Sequence, residues 1–596
     1  MSDIRRMAGV LVGTAWRAAP GTLVVAFVMA TVGALASSTY PVGYHLLVDG
    51  ALAHDGTRVA VGVAMVVVLF TLTWILAMLS ASRNIILSDR LNAFLGRRIA
   101  VLVNAAPRLE HFERSDLLTE IDQLRDNRRA LAGASRQLLN GWQVVIRGGA
   151  IMVLLATVYP PVMVIPLLGL VPALADRRAS RIQKRTGDAL APDRRLVGEL
   201  FGLATNASSA KELRTYGITG AVTARHAALT EQLRRQAIRS TLRSAAWEAL
   251  GWAAYAGAFV AVIVVLVLRA AHGHTSPGQV VMAVSLMRRA QIQVSSATDT
   301  AGTLATAFRT ARRLLWLEDY VAAETAVDAD RTAEPPVRLA DGITLENVTF
   351  AYPGADEPVL RELDLRLPAG AVVAIVGENG AGKTTLAKLL TGMYRPTAGT
   401  IRVDGVDLDT VPPAAWRTRT TAVFQDYLRP NLLARQAVGV GDLPRSGDDA
   451  AVGTAVERAG ATAVVEKLPQ GLDTPLGRWF TGGHDLSGGG WQRLALARGM
   501  MRDAPLLTLL DEPTASLDAV AESRLFQRFA EMSRASTATG GITVLISHRF
   551  STVGMADLIV VLEGGRLVEC GSHQELMARG GGYAQMFALQ ARAYTG

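Results

Sequence analysis

Residues 371–393 read AVVAIVGENGAGKTTLAKLLTGM, and this stretch decides the fold of the C-terminal half. Its first six residues are apolar and rich in valine, as a buried strand requires, and its end, TTLAKLLTGM, suits a helix. Between them, Gly377-Glu378-Asn379-Gly380-Ala381-Gly382-Lys383-Thr384 fits the pattern G-x-x-x-x-G-K-[ST], with Thr385 next. Glycines let a backbone wrap phosphate with its N–H groups, and the N-terminus of the following helix adds a favourable dipole. Residues 377–385 are therefore predicted to cradle a nucleotide. Lys383 would reach the β- and γ-phosphates and Thr384 would hold Mg²⁺. An ordinary glycine-rich turn would not demand Lys-Thr at its end.

Downstream, LLTLLDEPTASLD (residues 506–518) is an apolar strand running into Asp511-Glu512. A carboxylate at a strand end can hold Mg²⁺, and its neighbour is placed to orient attacking water. Upstream, the alternation in ITLENVTFAY and LRELDLRLPAG predicts two further strands. An α/β nucleotide-binding domain from residue 342 to 596 is expected. The acidic, small-residue stretch VAAETAVDADRTAEPP closes with two prolines and reads as a linker, placed at 321–341.

The first 320 residues differ in kind. Half of the 596-residue chain is hydrophobic and mean hydropathy is +0.25, which calls for a membrane portion. Apolar segments run from Gly21 to Val48, Val59 to Met78, Leu138 to Tyr159, Pro161 to Leu174 and Trp247 to Leu268. A sixth, Pro277 to about Thr310, is interrupted by Arg288, Arg289, Gln291, Gln293 and Asp299. Six membrane helices are predicted. Arg5-Arg6 and Ala34-Leu35-Ala36 imitate a cleavable signal, but the first apolar run continues past that point, so the helix is expected to be retained.

The net charge of +9 could suggest nucleic acid, yet the arginines lie between apolar segments and not in one patch. Residues 82–137 hold ten arginines and no lysine, and 175–246 are similarly basic, while the turns at 49–58, 159–161 and 269–276 are nearly free of such charge. The positive-inside rule then puts both termini, the long loops and the nucleotide domain in the cytoplasm, with the chain multi-pass in the cell membrane. Nucleic acid is not an expected partner. The single cysteine, Cys570, allows neither an internal disulfide nor a multi-cysteine metal site. Arg147, Arg288 and Arg289 are charges at membrane depth, either packed against partners inside the helix bundle or lining a substrate path.

Around the two nucleotide motifs stand Tyr352 in FAYPG, Gln425 in VFQDY, Ser487-Gly488-Gly489 in LSGG, Asp518 in ASLD and His548 in LISHR. In the order and spacing of these motifs the chain resembles the ATP-binding cassette family over essentially its full length, as an exporter-type half-transporter. The resemblance implies that Tyr352 stacks on adenine and that Thr384, Gln425 and Asp511 surround Mg²⁺. It further implies that Glu512 is the general base, that His548 meets the γ-phosphate, and that Asp518 belongs to the ATP site. Loops such as LEHFERSDLLTEI would end in coupling helices seated on the nucleotide domains. A dimer, homomeric or heteromeric, would sandwich two ATP molecules between one subunit's Lys383 loop and the other's Ser487-Gly488-Gly489. The segment TPLGRWFTGGHDLSGGGWQR is similar to that of lantibiotic exporters, which points to a peptide-like cargo; lipids and drug-like molecules are the alternatives. It departs from the family where Gly490 replaces the usual glutamine and Arg478 a frequent glutamate. The competing expectations are a catalytically poor regulatory half of a heterodimer and an importer built on the exporter fold. No leader peptidase is expected in the short stretch before the first helix.

Overall fold

The computed structural model describes residues 2–164, 168–478, 480–512, 539–547 and 553–595. They form two compact units, Met1–Ala100 with Asp122–Trp316, and Val101–Ile121 with Leu317–Gly596.

The first unit is helical. Its elements are α1 (Ser2–Ala18), α2 (Pro20–Leu52), α3 (Gly56–Ala105), α4 (Glu110–Glu113), α5 (Ser115–Ala132) and α6 (Ala134–Val158), of which α4 and parts of α3 and α5 belong to the second unit. Then come α7 (Leu170–Ala189), α8 (Ala191–Thr205), α9 (Ala207–Thr215), α10 (Thr219–Ala271) and α11 (Pro277–Ala329), the last of which passes into the second unit from Leu317 on. Helices α2 and α3 touch backbone to backbone: a Cβ on Gly62 would lie 2.7 Å from the Leu47 amide nitrogen, and one on Gly43 2.7 Å from a Val66 methyl. Small residues at such crossings let membrane helices approach closely. Among the described residues, α2, α3, α6 and α10 are long and apolar enough to cross a bilayer. The sixth predicted segment, in α11, falls short because its charges and amides dilute every membrane-length window. The fourth opens as a 3₁₀ turn, Pro160–Met163, and is helical again from Leu170, because Tyr159 is extended and the two prolines cannot continue the α6 ladder.

The linker expectation needs correction at its start. Residues 321–329 continue α11, and the irregular chain begins only at Asp330 and runs to β1. Alanine and glutamate are strong helix formers, so an acidic, small-residue composition was no sign of a coil there.

The second unit carries two sheets. Strands β1 (Gly342–Phe350), β2 (Leu360–Pro368), β4 (Ala398–Val403) and β5 (Val406–Asp407) form an antiparallel sheet in the order β2-β1-β4-β5. The other sheet runs β10-β9-β3-β8-β7-β6 and comprises β3 (Val372–Gly377), β6 (Thr420–Val423), β7 (Leu507–Asp511), β8 (Ile542–Ile546), β9 (Leu558–Glu563) and β10 (Arg566–Gly571). Its strands from β9 to β6 are parallel and read as continuous apolar runs because both faces are covered. The register pairs Ile375 with Ile546, Ile546 with Asp511 and Leu510 with Val423, so the chain leaves β3, β7 and β6 at one edge. Open parallel sheets bind ligands at that carboxyl edge.

Helix α12 (Lys383–Leu390) follows β3 and packs in the core between the sheets. A second core gathers α13 (Ala434–Gly439), α14 (Asp449–Arg458) and α15 (Gly488–Gly499) around Leu494, Leu496 and Trp491.

Candidate nucleotide site

The loop between β3 and α12 is possible only with glycine at two points. Gly377 has φ +151° and a Cβ there would lie 2.1 Å from the Leu562 carbonyl oxygen; at Gly382, φ +96°, it would lie 2.6 Å from a Leu360 methyl. The tight wrap brings Lys383 back over its own loop, where Nζ donates to the carbonyls of Gly377 and Glu378, each at 2.8 Å. Burial lowers the pKa of this ammonium. The two carbonyl bonds hold the charge where a phosphate would compete for it.

Across the sheet edge, Thr384 Oγ1 donates to Asp511 Oδ2 at 3.2 Å. Asp511 is buried, and that burial raises its pKa, with the Glu512 charge beside it acting in the same direction and the Thr384 bond opposing. Gln425, two residues beyond the end of β6, donates from Nε2 to Glu512 Oε2 at 2.9 Å. Glu512 itself sits at φ +48°, a conformation uncommon and costly for a residue with a side chain. The Thr384 hydroxyl at the start of α12, the Asp511 and Glu512 carboxylates at the end of β7 and the Gln425 amide beyond β6 thus stand at the same sheet edge. Thr384 and Asp511 supply the hard oxygen donors that suit a magnesium ion, with Gln425 and Glu512 next to them.

Tyr352 lies on the flank of α12. Its hydroxyl is 3.1 Å from Thr385 Oγ1, and Lys388 Nζ donates to it at 3.5 Å while standing 5.3 Å from the ring centre. Lys388 also donates to Glu113 Oε1 at 2.6 Å, and the Tyr394 hydroxyl donates to the other oxygen of the same carboxylate. Burial pulls the Lys388 pKa down, but the Glu113 bond and charge and the Tyr352 hydroxyl together outweigh it and the net shift is upward. The α4 segment is thereby fixed to the aromatic cluster of Phe350, Tyr352 and Tyr394. Sequence reading missed Glu113, Lys388 and Tyr394; the only signal was a second lysine five residues after Lys383. Replacing Glu113 by Ala would leave Tyr394 and Lys388 without their acceptor and is expected to cost about 1–2 kcal/mol, whereas Glu113→Gln, whose amide oxygen still accepts from Tyr394, costs less. Chemical denaturation monitored by Tyr and Trp fluorescence measures both. Equal midpoints for Glu113→Ala and the unmodified chain would strip the contact of structural weight.

Ser487 caps α15, its Oγ accepting from the Gly490 amide at 3.2 Å. A Cβ on Gly488 would meet nothing within 4 Å, while one on the buried Gly490 would stand 3.3 Å from Leu486 Cβ and 3.4 Å from Ser487 Oγ. Arg478 pairs with Asp485 at the surface. Asp518 and His548 lie outside the described residues.

The three membrane arginines are not gathered. Arg147 lines a polar cavity of about 300 Å³ between α6 and α11, together with Gln143, Gln293 and Asp299, and its Nε is buried with no hydrogen-bond partner among the described residues. Arg289 instead donates to the Ser37 carbonyl, with its guanidinium 4.0 Å from the centre of the Tyr40 ring. Arg288 is exposed, and neither it nor Arg289 lines that cavity.

Comparison with known proteins finds relatives of the chain. The sequence pattern of the ABC transporter family matches residues 360–515. An ATP-dependent lipid A-core flippase from Chromohalobacter salexigens is 32% identical over 430 residues, 72% of this chain and 70% of the relative. The nisin transport ATP-binding protein of Lactococcus lactis is 34% identical over 241 residues, 40% of this chain and 39% of its own length. A solved bacterial Atm1-family ABC exporter with ATP bound superposes with a TM-score of 0.70 over 99% of this chain and 100% of that one, at 23% identity.

Proposed function

The chain belongs to the ABC transporter family, with the exporter fold and an ATPase that drives transport, and on that premise we propose that two copies clasp two ATP molecules to export a peptide-like or lipid cargo across the cell membrane by alternating access. The charge pattern supports an orientation with the nucleotide domain and both termini in the cytoplasm. The observation that carries the reading is the meeting of Thr384 with Asp511 and of Gln425 with Glu512 at the carboxyl edge of one parallel sheet.

In this reading the loop amides from Gly377 to Thr385, Asn379 and Ala381 included, hold the phosphates. Lys383 exchanges its two carbonyl partners for phosphate oxygens. Thr384, Asp511 and Gln425 would hold Mg²⁺, which when bound neutralises charge on the β- and γ-phosphate oxygens. Glu512, aligned by Gln425, accepts the proton of the attacking water. Tyr352 stacks on adenine, and Asp518 and His548 would complete the ATP site. The Ser487 hydroxyl and the Gly488 and Gly489 amides, at the N-terminus of α15, close on the nucleotide held by the other copy.

The peptide alternative draws support from the polar cavity beside Arg147, whose carboxamides match a peptide backbone, and the lipid alternative from the flippase relatives. ATPase assays on the purified chain in lipid nanodiscs, with panels of peptides and lipids, decide between them. Arg147→Ala is expected to lower stimulation by the active cargo at least severalfold relative to basal turnover. Undiminished stimulation would remove Arg147 from the path. No ATP hydrolysis by the purified chain alone would favour a regulatory half working with a different partner.

A further inference from the structure

Helices α7 and α10 are antiparallel and nearly touch: a Cβ on Gly251 would lie 2.7 Å from Ala175 Cβ and 3.0 Å from Pro172 Cα, and Gln183 donates to Ser244 at 3.0 Å. Beside this contact opens a cleft of about 640 Å³. It has two chemically distinct ends. Leu174, Leu250 and Ala254 line one, and Arg177, Arg178 and Arg181 the other, where Trp247 stands with the Arg178 guanidinium 5.1 Å from its ring centre.

Depth along α10 gives these ends their meaning. From Leu268, the last apolar residue before Arg269, Trp247 lies about 32 Å down the helix at 1.5 Å per residue. The hydrocarbon layer is about 30 Å thick, so Trp247 stands at its far edge, and Ala254, at about 21 Å, is still inside. Tryptophan favours that edge because its ring is apolar and its N–H is not. Since α7 runs opposite to α10 and Ala175 faces Gly251, the arginines at 177, 178 and 181 fall at headgroup level, while Leu174 faces the acyl region. In the orientation proposed above this is the cytoplasmic leaflet.

All three arginines are exposed, and none makes a salt bridge among the described residues. Arg177 and Arg181 are four residues apart on one helix face, a like-charge spacing that is unfavourable unless an anion joins them. We propose that this cleft is a binding site for an anionic phospholipid, with its phosphate bridging Arg177 and Arg181 beside the Arg178–Trp247 pair and an acyl chain laid along Leu174, Leu250 and Ala254. Basic pockets between membrane helices on the cytoplasmic side recognise lipid headgroups in this way. The site is separate from the cavity at Arg147 and does not depend on what the cargo is.

The test uses the full chain in nanodiscs of phosphatidylcholine with a minor share of phosphatidylglycerol, followed by native mass spectrometry of the lipid it retains. Retained phosphatidylglycerol should exceed its share in the disc. The Arg177→Ala/Arg181→Ala double variant should lose that preference by on the order of tenfold. The control pair Arg234→Ala/Arg235→Ala, outside the cleft, should keep it, and inorganic phosphate should not displace the lipid, because phosphate lacks the chain that fills the apolar end. Equal retention by the double variant and the unmodified chain overturns the proposal, and so does equal loss in the control pair. Displacement by inorganic phosphate reduces the site to a simple anion pocket and overturns the lipid assignment. A cleft filled by a second copy would leave Leu174→Cys, in a Cys570→Ala background, unreactive to maleimide even in lipid-free detergent, and that result also overturns it. A double variant with a lowered melting temperature is replaced by Arg177→Gln/Arg181→Gln, which keeps length and polarity, and the same outcomes apply.

Discussion

Glu512→Gln is expected to bind ATP normally and to hydrolyse it at least about 10²-fold more slowly, the usual scale for losing a general base. Glutamine reproduces the shape of the side chain and can still bond Gln425, whose Nε2 is 2.9 Å from Glu512 Oε2, but it cannot take a proton from water. Lys383→Ala should be equally inactive for another reason. It removes the ammonium now held between the Gly377 and Glu378 carbonyls, and with it the main positive charge facing the β- and γ-phosphates, so nucleotide affinity falls as well. Phosphate release measures turnover, and a fluorescent ATP analogue measures binding. Turnover like that of the unmodified chain in either variant would end the assignment of the site. Lost binding in Glu512→Gln would show that the carboxylate holds nucleotide and does not act as a base.

The second large effect is expected at Gly488, a position open on its own subunit. A Cβ there meets nothing within 4 Å, so Gly488→Asp should leave the chain folded with an unchanged melting temperature. Its cost arises when α15 faces the other copy's nucleotide. A carboxylate about 4 Å from a phosphate charge is opposed by about 4 kcal/mol at an effective dielectric of 20, enough to reduce dimer-dependent hydrolysis by about 10²-fold or more. Ser487→Ala, which removes the hydroxyl that now accepts from the Gly490 amide, should cost less, about 1–2 kcal/mol. Gly490→Gln should matter least. Its Cβ needs Leu486 to yield a few tenths of an ångström, its backbone N–H is kept, and glutamine is the better helix former, so only a severalfold change is expected. Full activity in Gly488→Asp would separate α15 from the nucleotide. A silent unmodified chain revived by Gly490→Gln would instead mean that this signature is switched off and that a partner supplies the working site.

The parts of the site that were legible in the sequence are those dictated by short-range constraints. A buried strand, a glycine-bearing loop and a helix are adjacent in the chain between Ala371 and Met393, so their chemistry could be read in place. The same holds for Asp511 and Glu512 at the end of an apolar run. That β3 and β7 lie one strand apart, with β8 between them, was not legible, because strand order depends on crossovers that no local pattern encodes. The bond between Glu113 and Lys388 joins residues 275 positions apart, and Arg289 finds its acceptor, Ser37, 252 positions away. Hydropathy alone could say that Arg147 and Arg289 are at membrane depth. Only packing shows that one borders a polar cavity and the other is spent on a tyrosine ring and a carbonyl. The reading of residues 321–329 failed because composition was weighed there without helix propensity.

The strip Val101–Ile121 belongs to the compact unit of the nucleotide domain although the whole stretch Asp122–Trp316 separates the two in sequence. Within that unit Arg108 pairs with Glu324 and Asp328, the Leu109 amide bonds the Met393 carbonyl, and Glu113 holds Lys388 and Tyr394. For genetic exchange this means that the ATPase is not inherited as one contiguous block. A crossover in the 330s that brings in a foreign cassette leaves the old strip behind, and the newcomer must present a cationic donor at 388 and a hydroxyl at 394 to the resident carboxylate. Chimaeras that move residues 101–121 and 317–329 together with the cassette keep the matched set.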